Sequence, residues 1–128
     1  MPDPDLISID RYGWSERFGG GPNQVPYNRV IDETPPARIL TSVVTVYEVY
    51  KKAKAMQGEH AALEDVGALG PSRLGPVDAE VALAAADHGL EFGLHFADAL
   101  TYATARRFRA PLYASDVALK GLPGVRFV

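Results

Sequence analysis

Apolar positions fall in short blocks separated by polar, glycine or proline breaks. Leu6-Ile7-Ser8-Ile9-Asp10 reads as a short buried strand ending in an acid. A short amphipathic piece follows through Tyr12-Gly13-Trp14 to Phe18, and Gly19-Gly20-Gly21-Pro22-Asn23 reads as a loop. Tyr27 to Glu33 suits a helix, which Pro35-Pro36 breaks. Ala37 to Leu40 is a second strand candidate. Thr41 to Met56 carries two signals: its valines favour strand, while Leu40, Val43, Val44, Tyr47 and Tyr50 recur at helical spacing. Thr41 or Ser42 can cap a helix start, and Lys51, Lys52 and Lys54 suit a helix end, so the segment is read as a helix. Glu59 to Leu69 is another, stopped by Gly70-Pro71.

Arg73 to Val77 reads as a third strand. Asp78 looks like the N-cap of a helix that stops at Gly89. His95 to Phe108 is an Ala-rich helix with Arg106, Arg107 and Arg109 at its end. Pro111 to Ser115 is a fourth strand closed by Asp116, and Val125 to Val128 a last edge strand. Strands alternating with helices predict an α/β fold with a parallel sheet covered on both faces.

The length, 128 residues, suits one domain over 1–128, with the acidic, proline-containing residues 1–5 as a flexible tail. Apolar residues, at 47%, suffice for one core, and the absence of cysteine excludes disulfides and thiolate zinc sites. No apolar run approaches the roughly 20 residues that span a bilayer, and the start lacks signal-peptide character. A soluble cytoplasmic protein without a membrane partner is expected. The net charge of −3 is weak evidence against nucleic acid, since a cation-holding nuclease concentrates acids in its site.

Four acids stand where chemistry would. Open parallel sheets bind ligands beyond the carboxyl ends of their strands, where Asp10 and Asp116 fall. Glu48, within the helix after the second strand, and Asp98, in the first turn of the Ala-rich helix, can face the same edge. Clustered carboxylates repel one another, and a hard divalent cation removes the penalty. Such an ion activates water against a phosphodiester. Spacing alone does not single out these four among the chain's acids.

The motifs around them do. Ile9-Asp10-Arg11-Tyr12-Gly13-Trp14 resembles the opening motif of PIN domains, in particular the VapC toxin subgroup. Thr45-Val46-Tyr47-Glu48-Val49-Tyr50-Lys51 is similar to that subgroup's second motif, and Ala97-Asp98-Ala99-Leu100-Thr101-Tyr102-Ala103-Thr104-Ala105 to its third. Ala114-Ser115-Asp116 and Gly121-Leu122-Pro123-Gly124-Val125 resemble its ending. The likeness runs in order from about Leu6 to Val128. It implies a Rossmann-like PIN fold and Mg²⁺ or Mn²⁺ held by Asp10, Asp98 and Asp116, with Glu48 completing the shell. The implied activity is that of an endoribonuclease toxin; its implied partners are RNA, a cognate antitoxin and a second copy of the chain. Arg11 and Tyr12 replace the small residue and hydroxyl usual after the first acid, and Ala114 the threonine usual before the last. Arg11 has the reach to pair with Asp10 and compete with a metal, or to grip a phosphate.

Plainer roles compete. Asp10 and Asp116 can cap turns, Asp98 suits a helix start, and Glu48 can pair with Lys51 or Lys52. His60, His88 and His95 lack a common metal spacing and suit surface or capping roles. Trp14 and Tyr47 suit core or interface. Arg106, Arg107 and Arg109 fit a solvated helix end and an RNA-backbone contact equally well. A PIN fold that binds RNA or antitoxin but cleaves poorly is the second reading, favoured by Arg11, Tyr12 and Ala114. A receiver or phosphatase ranks low, because Asp10 has no adjacent acid.

Overall fold

The fold follows from where apolar side chains can be buried on a sheet whose strands are only three or four residues long. A computed structural model describes residues 5–128. In chain order the elements are β1 (Ile7–Ile9), α1 (Arg11–Gly19), α2 (Gln24–Glu33), β2 (Ile39–Ser42), α3 (Val43–Gln57), α4 (Glu59–Leu69), β3 (Arg73–Gly75), α5 (Ala79–Phe92), α6 (Phe96–Arg107), β4 (Leu112–Ala114) and β5 (Val125–Phe127). Short 3₁₀ turns at Pro36–Arg38 and Val117–Leu119 precede β2 and follow β4. The sheet order is β3-β2-β1-β4-β5 and every pair is parallel.

Alternation along the strands divides the core between two faces. Ile9 and Ile39 join Trp14, Tyr27, Ile31, Val49 and Leu69 from α1 to α4. Leu112 and Ala114 pack with Tyr102 and Ala105 of α6. Small side chains let α6 lie close to the sheet, with Ala99 through Ala105 buried throughout. α5 covers α6 through Val81, Ala85, Ala99, Leu100 and Ala103.

The expected parallel α/β sheet is present. Thr41 and Ser42 extend β2 rather than open the helix, and the Ser42 hydroxyl accepts from the Val44 N–H to cap α3. Asp78 caps α5 as expected, its carboxylate accepting from the Val81 N–H at 2.9 Å. Gly89 does not stop α5. The helix runs to Phe92 and ends on Gly93 at φ 67, where only the second glycine takes the left-handed conformation. α2 begins at Gln24, three residues before the expected start at Tyr27. Of the stretch 1–5 read as a tail, residues 1–4 lie outside the described residues, while the Asp5 carbonyl accepts from Arg38 Nε at 2.7 Å. Among the described residues no helix is long and apolar enough to cross a membrane.

The chain builds β1, β2 and β3 outward in one direction, then returns to lay β4 and β5 on the other side of β1. This reversal lies between β1 and β4, the place where open parallel sheets bind ligands. Gly13 is central to the packing there. A Cβ on it would stand 2.4 Å from Ile9 Cγ2 and 2.6 Å from Tyr27 Cε1. Gly13→Ala is expected to lower stability by about 1–3 kcal/mol through overpacking, read as a reduced denaturant midpoint at unchanged slope.

Candidate active site

Asp10 leaves β1 and becomes the N-cap of α1. It is 3% exposed, so every donor around it counts. Oδ1 accepts from the Gly13 N–H and from the Tyr27 hydroxyl, each at 2.9 Å, and Oδ2 accepts from the Ser115 N–H at 3.4 Å. These bonds favour the carboxylate, yet burial outweighs them and lifts the Asp10 pKa from 3.8 to about 6, with a small further push from Asp116.

Tyr27 is the residue that sequence reading passed over. Its side chain is fully buried and its hydroxyl also lies 3.0 Å from Ser115 Oγ. The tyrosine has one proton, given to Asp10, so it accepts from the serine. Ser115, one step from the place where a hydroxyl was missed, thus serves Asp10 and ties the end of β4 to the end of β1. Nothing in the helical pattern around Tyr27 marks the target of its hydroxyl. The glycine of Tyr12-Gly13-Trp14 is the indirect signal, because only a residue without Cβ lets the Tyr27 ring come so close.

Asp116 leaves β4 and caps the following 3₁₀ turn, accepting from the Ala118 N–H at 2.9 Å. Asp98 sits in the first turn of α6 behind His95. The Asp116 carboxylate lies close beside that of Asp98. Burial, followed by repulsion from Asp116, raises the Asp98 pKa from 3.8 to about 6. Arg11 and Glu48 lie near enough to Asp98 to act on it with opposite signs.

Glu48 projects from α3 and accepts from Arg11 Nη1 at 2.8 Å, with only 11% of its side chain exposed. Burial raises its pKa despite Arg11. The guanidinium also donates to the Tyr12 hydroxyl at 3.0 Å and lies over that ring. Arg11 therefore pairs with Glu48 and not with Asp10, and Glu48 pairs with neither Lys51 nor Lys52. Lys51 lies over the Tyr47 ring instead.

All four expected acids thus reach the carboxyl edge of the sheet at its switch point, two of them as caps as well. Among the described residues no three acidic or histidine side chains converge as a finished cation cage. The donor chemistry nonetheless fits a hard cation: oxygen donors only, with Asp10 and Asp98 both held above the usual carboxylate range by burial and by Asp116. Among the described residues Glu48 is paired with Arg11, whereas Asp10, Asp98 and Asp116 form no ion pair. A cavity of about 300 Å³ lined by Tyr12, Phe18, Val49, Lys52 and Met56 lies beside α1 and α3 and includes none of the four acids. The acids line an open edge, which suits a polymer better than a small enclosed ligand.

None of the three histidines bonds to the four acids. His60 pairs with Glu64, and His95 caps α6 without a side-chain bond. His88 is half-buried, edge-on to Tyr102 and stacked with Phe92, so its role is packing and not the surface role expected. Trp14 is a core residue, stacked on Phe18.

Residues 10–124 match the family described as PIN domain. No curated protein matches the chain by sequence. Several solved structures share its fold. A toxin–antitoxin complex from Klebsiella pneumoniae aligns with a TM-score of 0.80 at 23% identity, over 94% of this chain and 95% of the other. VapC20, a sarcin–ricin-loop-cleaving toxin of Mycobacterium tuberculosis, aligns with a TM-score of 0.76 at 22% identity, over 94% and 98%. VapBC2 of Rickettsia felis, bound to a DNA fragment from its promoter, aligns with a TM-score of 0.77 at 11% identity, over 96% and 97%.

The raised carboxyl pKa values have a definite sign in stability. Below about pH 4 Asp10 and Asp98 are protonated in folded and unfolded chains alike. Between about 4 and 6 the unfolded chain releases protons that the folded chain retains, so these groups take stability away as pH rises. In metal-free protein, Asp98→Asn should therefore gain in melting temperature relative to the parent from pH 4 to 6.5. A constant difference across that range would contradict the crowding of Asp98 by its neighbours.

Proposed function

Since the chain belongs to the PIN-domain family, we propose that it is a metal-dependent endoribonuclease, the toxin of a toxin–antitoxin pair. The observation that carries this reading is the gathering of Asp10, Asp98 and Asp116 at the switch point of the sheet, with Asp116 close enough to weigh on the other two. Proteins of the same fold include a sarcin–ricin-loop-cleaving toxin and a toxin–antitoxin complex.

In this reading Asp10, Asp98 and Asp116 hold Mg²⁺ or Mn²⁺, and Glu48 is the fourth acid of the shell. When bound there, the ion supplies an activated water and offsets charge developing on the attacked phosphate. Tyr27, Gly13 and Ser115 hold the Asp10 carboxylate in one orientation, the kind of support that ligating carboxylates need. A cation held there would compete with the proton on Asp98, whose pKa is raised to about 6, so loading would become easier as pH rises through that value. Arg11 keeps Glu48 turned to itself until loading, and stands at the edge where an RNA phosphate would arrive.

The cognate antitoxin and a second copy of this chain are the proposed protein partners. Val43 and Tyr47 on α3, Leu90 near the end of α5, and Phe96 at the start of α6 leave large apolar surface open to such contacts. The Arg11–Glu48 ion pair also favours the second reading, a PIN fold that binds RNA or its antitoxin and cleaves slowly, because one of the four acids is already engaged.

The test is cleavage of a mixed RNA pool by antitoxin-free protein, with Mg²⁺, with Mn²⁺ and with chelator. Metal-dependent cutting that falls by about a hundredfold or more in Asp98→Asn is expected. No cutting by folded, metal-supplied parent protein would sink the enzyme reading and leave the binding one. Arg11→Ala, which releases Glu48, should bind Mn²⁺ more tightly than the parent in calorimetry. Equal affinity would remove Glu48 from the proposed ligand set.

A further inference from the structure

The edge of the sheet opposite the acids carries a second charged feature. Arg106 at the end of α6, Arg109 just beyond it and Arg126 on β5 line one cavity of about 300 Å³, with Pro111 and Gly124. These residues meet only through the fold, since β5 returns beside β4. Among the described residues none of the three arginines forms an ion pair, whereas Arg11, Arg17 and Arg107 all do. In a chain of net charge −3, three unpaired guanidinia on one cavity are a local concentration and not a bulk effect.

Two backbone details keep the cluster in place against local preference. Helix α6 ends with the Ala110 N–H donating to the Ala105 carbonyl and the Arg109 N–H to the Arg106 carbonyl, the closure that places one residue in the left-handed conformation. That residue is Arg109, at φ 54, the one positive-φ residue other than glycine among those described. Glycine would sit there with less strain. At Gly124, φ 78, a Cβ would stand 2.5 Å from Arg106 Nη1, so the glycine lets the Arg106 side chain lie across the turn into the cavity.

We propose that this arginine cavity is an exosite for the phosphodiester backbone of RNA, separate from the acidic edge. RNA as the occupant rests on the ribonuclease reading, under which a polyanionic strand must be brought to an acidic edge, a need that an acidic polypeptide does not have. The acidic edge offers a polyanion little attraction, so a strand directed there needs a cationic anchor elsewhere. Asp98 and Arg106 lie at opposite ends of α6, about 12 Å apart along its axis. A strand following that helix meets guanidinium forks matched to phosphate oxygens at one end and the carboxylates at the other.

The experiment is equilibrium binding of fluorescently labelled single-stranded polyuridylate in chelator, over a series of salt concentrations. The variant replaces all three residues, Arg106→Gln, Arg109→Gly and Arg126→Gln. A charge-matched control replaces the exposed Arg29, Lys54 and Lys120 with glutamine. Loss of three phosphate contacts should reduce the salt slope by about 2 and weaken binding at low salt by about tenfold or more. The control should retain the parent's slope. Arg109→Gly alone should raise the melting temperature while weakening RNA binding, a pairing that a purely structural arginine would not produce. Equal slopes for parent and triple variant overturn the exosite. So does loss of polyglutamate binding with RNA binding intact, which would assign the cavity to an acidic polypeptide. Metal-supplied cleavage separates the two readings: a parent that cuts RNA with an unchanged slope in the variant loses only the exosite, and a parent that never cuts but shows the slope change loses only the nuclease.

Discussion

Asp10 is asked to be buried, charged and close to another acid at once, and much of the local structure answers that conflict. Its carboxylate is taken out of water between β1 and α1, and three donors are brought to it from three separate segments. One comes from the helix that Asp10 itself caps, one from α2, and one from the end of β4. Those bonds do not fully offset desolvation, so Asp10 loses its proton only at about pH 6. Order is gained in return, because a carboxylate fixed on both oxygens has a defined direction at the sheet edge.

The packing around it is correspondingly tight. Gly13 has no room for a Cβ because the Tyr27 ring fills that space, and Tyr27 must be there for its hydroxyl to reach both Asp10 and Ser115. The α1–α2 hairpin therefore supports the site while burying apolar surface. The remaining acids are handled differently. Asp98 is held above the usual carboxylate range by burial and by Asp116, and Glu48 takes Arg11 as counter-ion. Each arrangement lowers like-charge repulsion at this edge.

Charge is also distributed along the sheet axis. The carboxyl edge gathers the four acids, while the amino edge beside β4 and β5 gathers Arg106, Arg109 and Arg126. Helix α6 spans the two, acidic in its first turn and basic in its last, the polarity that its own dipole favours. A helix-stability preference and a binding polarity thus coincide on one element.

The sequence by itself determined the alternation of strands and helices, the acid at the end of β1 and the acid at the end of β4, because period, caps and strand-end position are local properties. It also carried the ordered motifs that set Glu48 and Asp98 beside them. Helix α5 passes Gly89 because a second glycine four residues on takes the left-handed turn, and the choice between two glycines depends on what the helix packs against. The partner of Arg11, the Tyr27–Asp10–Ser115 linkage and the meeting of Arg126 with Arg106 and Arg109 were decided by tertiary structure alone. Each joins side chains from elements distant in sequence, and the register of strands that brings them together is fixed by burial on two faces of the sheet, a property no local pattern contains.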